Sequence, residues 1–182
     1  MLDKKLLVQN IFEMIRFSIN DRPCRMEKTL LVLVALWSGI TYYAQVHVYP
    51  KDDIFYHEML LNVENGYVCP GNFRNWSEAL VTVSNEQIFE GFSNSPFNLL
   101  YTFKDNKLLV GDSQFSSDVM FTFKDGKIYK GNSDYLLDQL FTYDRGRLYK
   151  GAVISVFDIV ITIEGTPTIA ELFAIMLVLE LI

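Results

Sequence analysis

Cysteine and histidine are scarce in this chain. It holds two of each: Cys24, Cys69, His47 and His57. Two thiols on either side of an apolar segment make a poor disulfide framework. No His-x-x-x-His and no Cys-x-x-Cys pairing occurs, so the usual zinc patterns are missing. Long basic runs are also missing, and the formal net charge is −6. Nucleic-acid binding needs a basic footprint over much of a face, so it is set aside. No phosphate loop or nucleophile motif appears, and "GNFRNWSEA" at 71–79 is neither. These absences point away from an enzyme, a bound metal and a cofactor.

What the chain does have is apolar bulk. Half of its 182 residues are hydrophobic and 14% are aromatic. That supports a packed core and argues against disorder. The length suits one domain with extras.

Residues 1–45 read as an N-terminal extension carrying an apolar helix. The stretch 29–46, "TLLVLVALWSGITYYAQV", contains no charge and follows Arg22, Arg25 and Lys28. A positive flank followed by an apolar run describes a secretory signal peptide, with Met26 as a natural start and cleavage after Ala44. The same run is just long enough for a single membrane span. A buried helix is the third reading. Leu7, Ile11, Met14 and Ile15 have spacing compatible with a helix before it.

From residue 46 to 168 the chain repeats every twenty residues. Gly71, Gly91, Gly111, Gly131 and Gly151 keep that spacing without a slip. Thr82, Thr102, Thr122, Thr142 and Thr162 follow each glycine by eleven residues. Strand-like cores sit between them, such as "LYTF" at 100–103, "MFTF" at 120–123 and "LFTY" at 140–143. A degenerate copy comes first, with Lys51 in the glycine place, giving about six units. Such self-similarity marks a repeat architecture in which units bury apolar faces against their neighbours.

Each unit reads as a hairpin. "MFTF" favours a strand, and Asp125-Gly126 supplies a turn whose central residues take positive φ. Asn65-Gly66, Asp105-Asn106 and Arg145-Gly146 fill the same place. Phe121 and Phe123 point to the core, and Met120 and Thr122 to a half-covered face. The second connection ends at Glu58, Glu78, Asn98, Asp118, Asp138 or Asp158, read as residues capping a turn rather than a calcium ladder.

The period ends in "TPTIAELFAIMLVLELI". Thr168 stands three residues before Glu171, the spacing of a capping box. Leu172, Ile175, Met176, Leu179 and Ile182 form one stripe of a helix over 169–182, too short and too interrupted by Glu171 and Glu180 to span a bilayer. The expectation is a mainly β protein of about six hairpins. They stack as an array or solenoid, and the C-terminal helix caps the open end.

The run "FTFKDGKIYKG" resembles MORN-type hairpin repeats, although the unit is shorter and a Gly-x-Gly element is absent. "GNS" with a later Asp and the closing "TIAELFAI" resembles uncharacterised bacterial short tandem hairpin proteins. Neither resemblance implies catalytic residues. The first implies scaffolding or lipid contact.

Lys104, Lys107, Lys124, Lys127, Lys130, Arg145, Arg147 and Lys150 gather around the turns, interrupted by Asp105, Asp125 and Asp144. They form a candidate stripe for an anionic lipid or glycan, weighed against simple charged edges that prevent misassembly. Asn75-Trp76-Ser77 fits the N-glycosylation pattern. The sequence thus describes a non-enzymatic, exported or envelope-associated repeat protein that binds or scaffolds an unidentified protein, lipid or glycan. A protein anchored through residues 29–46 is the alternative.

Overall fold

The chain divides into two units, Met1–Tyr42 and Tyr43–Ile182. The computed structural model describes residues 45–51, 58–73 and 75–182. The expected N-terminal helix, the cleavage or anchor segment before Gln45, Cys24 and His57 all lie outside the described residues.

Twelve strands make up the second unit. They are β1 (Val46–Pro50), β2 (Leu61–Glu64), β3 (Tyr67–Pro70), β4 (Val81–Ser84), β5 (Gln87–Glu90) and β6 (Leu99–Lys104). After them come β7 (Lys107–Val110), β8 (Val119–Lys124), β9 (Lys127–Lys130), β10 (Gln139–Asp144), β11 (Arg147–Lys150) and β12 (Ile159–Glu164). The helix α1 (Ile169–Val178) follows. Every strand pairs antiparallel with its sequence neighbours, and β12 returns to pair with β1, so the sheet is a closed barrel.

Five hairpins are continuous in sequence. Their two-residue turns take positive φ at both central positions, as at Asp125 (50°) and Gly126 (75°). This is the turn whose twist matches paired strands. The sixth hairpin is assembled from the two ends of the repeat region, with His47 opposite Glu164 and Tyr49 opposite Thr162. Lys51 occupies the glycine place of this last unit, again at positive φ (50°).

The expected array or solenoid is therefore corrected to a ring. A twenty-residue period is the same for a line and a circle, and the deciding element is curvature. Leu100, Met120, Leu140 and Val160 are each skipped in the strand pairing. Such one-residue bulges bend and twist a strand. Each bulge carbonyl accepts an N–H from the glycine place: Gly111 to Leu100, Gly131 to Met120, Gly151 to Leu140, and Lys51 to Val160. Repetition of that bend brings β12 to β1 and leaves no edge open.

The helix is likewise not an end cap. Leu172, Phe173, Ala174, Ile175 and Met176 are fully buried, in one cluster with inward residues that include Val48, Ile88, Phe121, Phe141 and Ile161. The Phe173 ring lies 5.7 Å from Phe103 and 6.3 Å from Phe121, centroid to centroid. The helix fills the barrel as a plug. Strand count explains this. Eight strands leave room only for side chains, whereas cans of about eleven strands enclose a helix. Ten helical residues rise about 15 Å, close to the height of strands four to six residues long. Thr168 and Glu171 form the expected capping box, each accepting the other's backbone N–H.

Strand alternation places Phe121 and Ile128 inside, and Thr122 and Tyr129 outside. The outer pair is nonetheless buried. The long connections after β5, β7, β9 and β11 fold back along the outer wall like petals and cover it. In the fourth unit Asp134 of the petal reaches Lys124 beside the tight turn, 2.7 Å away.

Candidate functional site

The repeat-defining residues hold the rim together. Thr82, Thr102, Thr122 and Thr142 each donate a hydroxyl hydrogen bond to the carbonyl of Gly91, Gly111, Gly131 and Gly151, at 2.6–2.8 Å. Thr162 donates to Lys51 instead. All five glycines, Gly71 included, have positive φ, between 55° and 76°. A β-carbon added to Gly131 would meet nothing closer than 3.9 Å, so dihedral angle rather than crowding selects glycine there. These positions build the fold.

The third and fourth petals have an internal lock. Ser113 accepts the Phe115 N–H and donates to Asp118, and Ser133 does the same with Tyr135 and Asp138. Hydrogen bonds from Ser113 and Ser117 hold the Asp118 carboxyl below the usual carboxylate range. A one-turn 3-10 segment then leads into the next strand, for example Leu136–Asp138.

The cationic residues do not share one line. Strand register sets Lys104 opposite Lys107, Lys124 opposite Lys127, and Asp144 opposite Arg147, all at the tight-turn end. Lys130 lies opposite Phe121, and Lys150 opposite Phe141, at the other end. The Lys124–Asp134 pair raises the lysine's pKa and lowers the aspartate's. Among the described residues, no group of three or more His, Cys, Asp or Glu is placed to hold a metal ion. Cys69 is buried behind the first petal, where desolvation, then Glu64 and Glu78, push its thiol pKa up.

Sequence reasoning missed the petal surface. Phe97, Leu137 and Phe157 are 98%, 98% and 95% exposed. They occupy the same place in their units, one residue before Asn98, Asp138 and Asp158. Adjacent petals add Tyr135, Leu136, Val153, Ile154 and Val156, all exposed. The twenty-residue spacing of Leu137 and Phe157 was present in the sequence, but the pattern of strand faces gives no information about loop residues. Near the other end, a cleft of about 210 Å³ separates the third petal from Lys104 and Lys107. A second cleft, of about 380 Å³, lies between the first two tight turns and the start of α1.

No curated protein and no solved structure matches this chain. A family model does, over residues 48–176, which run from β1 through all six hairpins into α1. Its description agrees with the observed ring of six hairpins, and the chain belongs to the family of 6-fold beta flower proteins.

Proposed function

We propose that this protein is a non-enzymatic binding or scaffolding module of the cell envelope, exported or anchored through residues 29–46, which engages a protein partner through its petals. The observation that carries this reading is the near-complete exposure of Phe97, Leu137 and Phe157 at equivalent places around the ring. Isolated exposed apolar side chains are ordinary, but a contiguous group such as that on the fourth and fifth petals marks an interaction surface. A carboxylate follows directly at Asp138 and Asp158, and the whole chain is acidic. An anionic bilayer would repel that surface, whereas a protein face with apolar pockets and basic rims complements it. The MORN-like character of "FTFKDGKIYKG" agrees with scaffolding.

The test is a photo-crosslinking residue placed at 137 or 157, with position 125 at the tight turns as control, in cells making the full chain. A discrete adduct from the petal positions, absent at 125 and lost on Phe97→Ser/Leu137→Ser/Phe157→Ser substitution, supports the reading. Equal labelling at all three positions, or flotation of the protein with phosphatidylglycerol vesicles in place of an adduct, defeats it. The export and anchor forms separate on the mature N-terminus. Gln45 at the start indicates cleavage, and an intact chain in the membrane fraction indicates the anchor. A soluble cytoplasmic chain beginning at Met1 contradicts both.

A further inference from the structure

The third and fourth units are close copies, so a place where one lacks what the other has is informative. Units three and four both set two lysines directly opposite each other at the hairpin tip: Lys104 with Lys107, and Lys124 with Lys127. Like charges in that relation destabilise a strand pair. In unit four the petal relieves the repulsion, because Asp134 pairs with Lys124. Twenty residues earlier the equivalent petal residue is Gln114, which carries no charge. The side chains of Lys104 and Lys107 make no ion pair or hydrogen bond among the described residues. Both line the cleft of about 210 Å³, whose opposite wall is Gln114, Phe115 and Ser116. Asp105 stands on the same rim.

We propose that this cleft binds a phosphate monoester. The two ammonium groups receive the phosphate oxygens, and the Gln114 amide and the Ser116 hydroxyl are further donors on the facing wall. A phosphate group fills only part of the space, leaving room for its substituent against the largely exposed ring of Phe115. Asp105 offsets one of the two positive charges, so binding is weak and salt-sensitive. The cleft belongs to the third unit, whereas Phe97, Leu137 and Phe157 stand on the second, fourth and fifth petals. The same chemistry is offered by a soluble phosphorylated metabolite and by a lipid headgroup.

The experiment is an NMR titration of the full-length protein at low salt with inorganic phosphate and with phenyl phosphate. A parallel arm uses sedimentation with phosphatidylcholine vesicles, with and without phosphatidic acid. Saturable shifts at Lys104, Lys107, Gln114 and Ser116 are expected, tighter for phenyl phosphate than for inorganic phosphate. Gln114→Asp installs the sister unit's ion pair and should weaken binding about tenfold. Lys150→Met makes the same change in net charge at the opposite end and should leave binding unchanged. Sedimentation that requires phosphatidic acid and is lost in Gln114→Asp assigns the headgroup as the source. Shifts without sedimentation assign a soluble ester. No saturable shift, or equal weakening by Lys150→Met, overturns the proposal.

Discussion

Thr162 donates its hydroxyl to the carbonyl of Lys51, a residue 111 positions earlier in the chain. In four other units the threonine finds its glycine carbonyl only nine residues further on. The bond is chemically the same, but here it closes the ring. Thr162→Val should cost about 1 kcal/mol, the usual net value of one hydrogen bond. Thr122→Val should cost about as much in equilibrium stability. Hydrogen exchange separates them: only Thr162→Val should speed exchange at His47, Tyr49 and Lys51. Equal exchange rates in the two variants would show that closure does not depend on this seam.

The glycines should rank by geometry. A β-carbon on Gly126 would lie 2.7 Å from the carbonyl oxygen of Tyr143, which cannot move freely because it belongs to β10. One on Gly131 would meet only ordinary contacts. Gly126→Ala should therefore cost more than Gly131→Ala. Gly131→Val should still cost about 1–2 kcal/mol, because a β-branched residue resists positive φ. Gly131→Asn should be nearly neutral, since Asn tolerates that region. Urea midpoints of the four variants check the order.

Phe173 packs against Phe103 and Phe121 inside the barrel. Phe173→Ala removes a fully buried ring and should cost about 3–5 kcal/mol. Phe173→Leu keeps most of the volume and should cost far less. Deleting residues 169–182 empties the lumen and should give aggregation or a collapsed state. A deletion variant that stays monomeric with an unchanged melting temperature would show that the plug is dispensable.

Cys69 should be a slow thiol. It is buried, with its Sγ 3.6 Å from the Asn75 carbonyl oxygen. Its pKa is raised in the folded state, so the fold favours the protonated thiol. That contribution is complete at pH below the free-thiol value of about 8.5 and is lost as pH climbs toward the raised value. In a Cys24→Ser background, alkylation at pH 8 should be slow in buffer and fast in urea. The stability advantage over Cys69→Ala should shrink between neutral and alkaline pH.

The sequence by itself determined the local units. Glycines and threonines at a fixed spacing, Asp-Gly and Asn-Gly turns, and alternating "FTF" segments dictate hairpins, because each signal acts over a few residues. The capping box at Thr168 and Glu171 was legible for the same reason. Tertiary structure alone decided that the hairpins form a ring. Closure needs β1 and β12 to meet across the whole repeat, and the bend that brings them together comes from bulges at Leu100, Met120, Leu140 and Val160. Those residues look apolar and strand-like in sequence. The ring in turn decided the place of the helix. An apolar helix after an open stack would cover its end, but a closed barrel of twelve strands has a lumen wide enough to take it. The petals follow the same logic. Nothing in "GNSDYLLD" says that the segment folds back over Thr122 and Tyr129, burying them and turning Leu136 and Leu137 outward. That outcome depends on contacts between segments that are adjacent only once the barrel has formed.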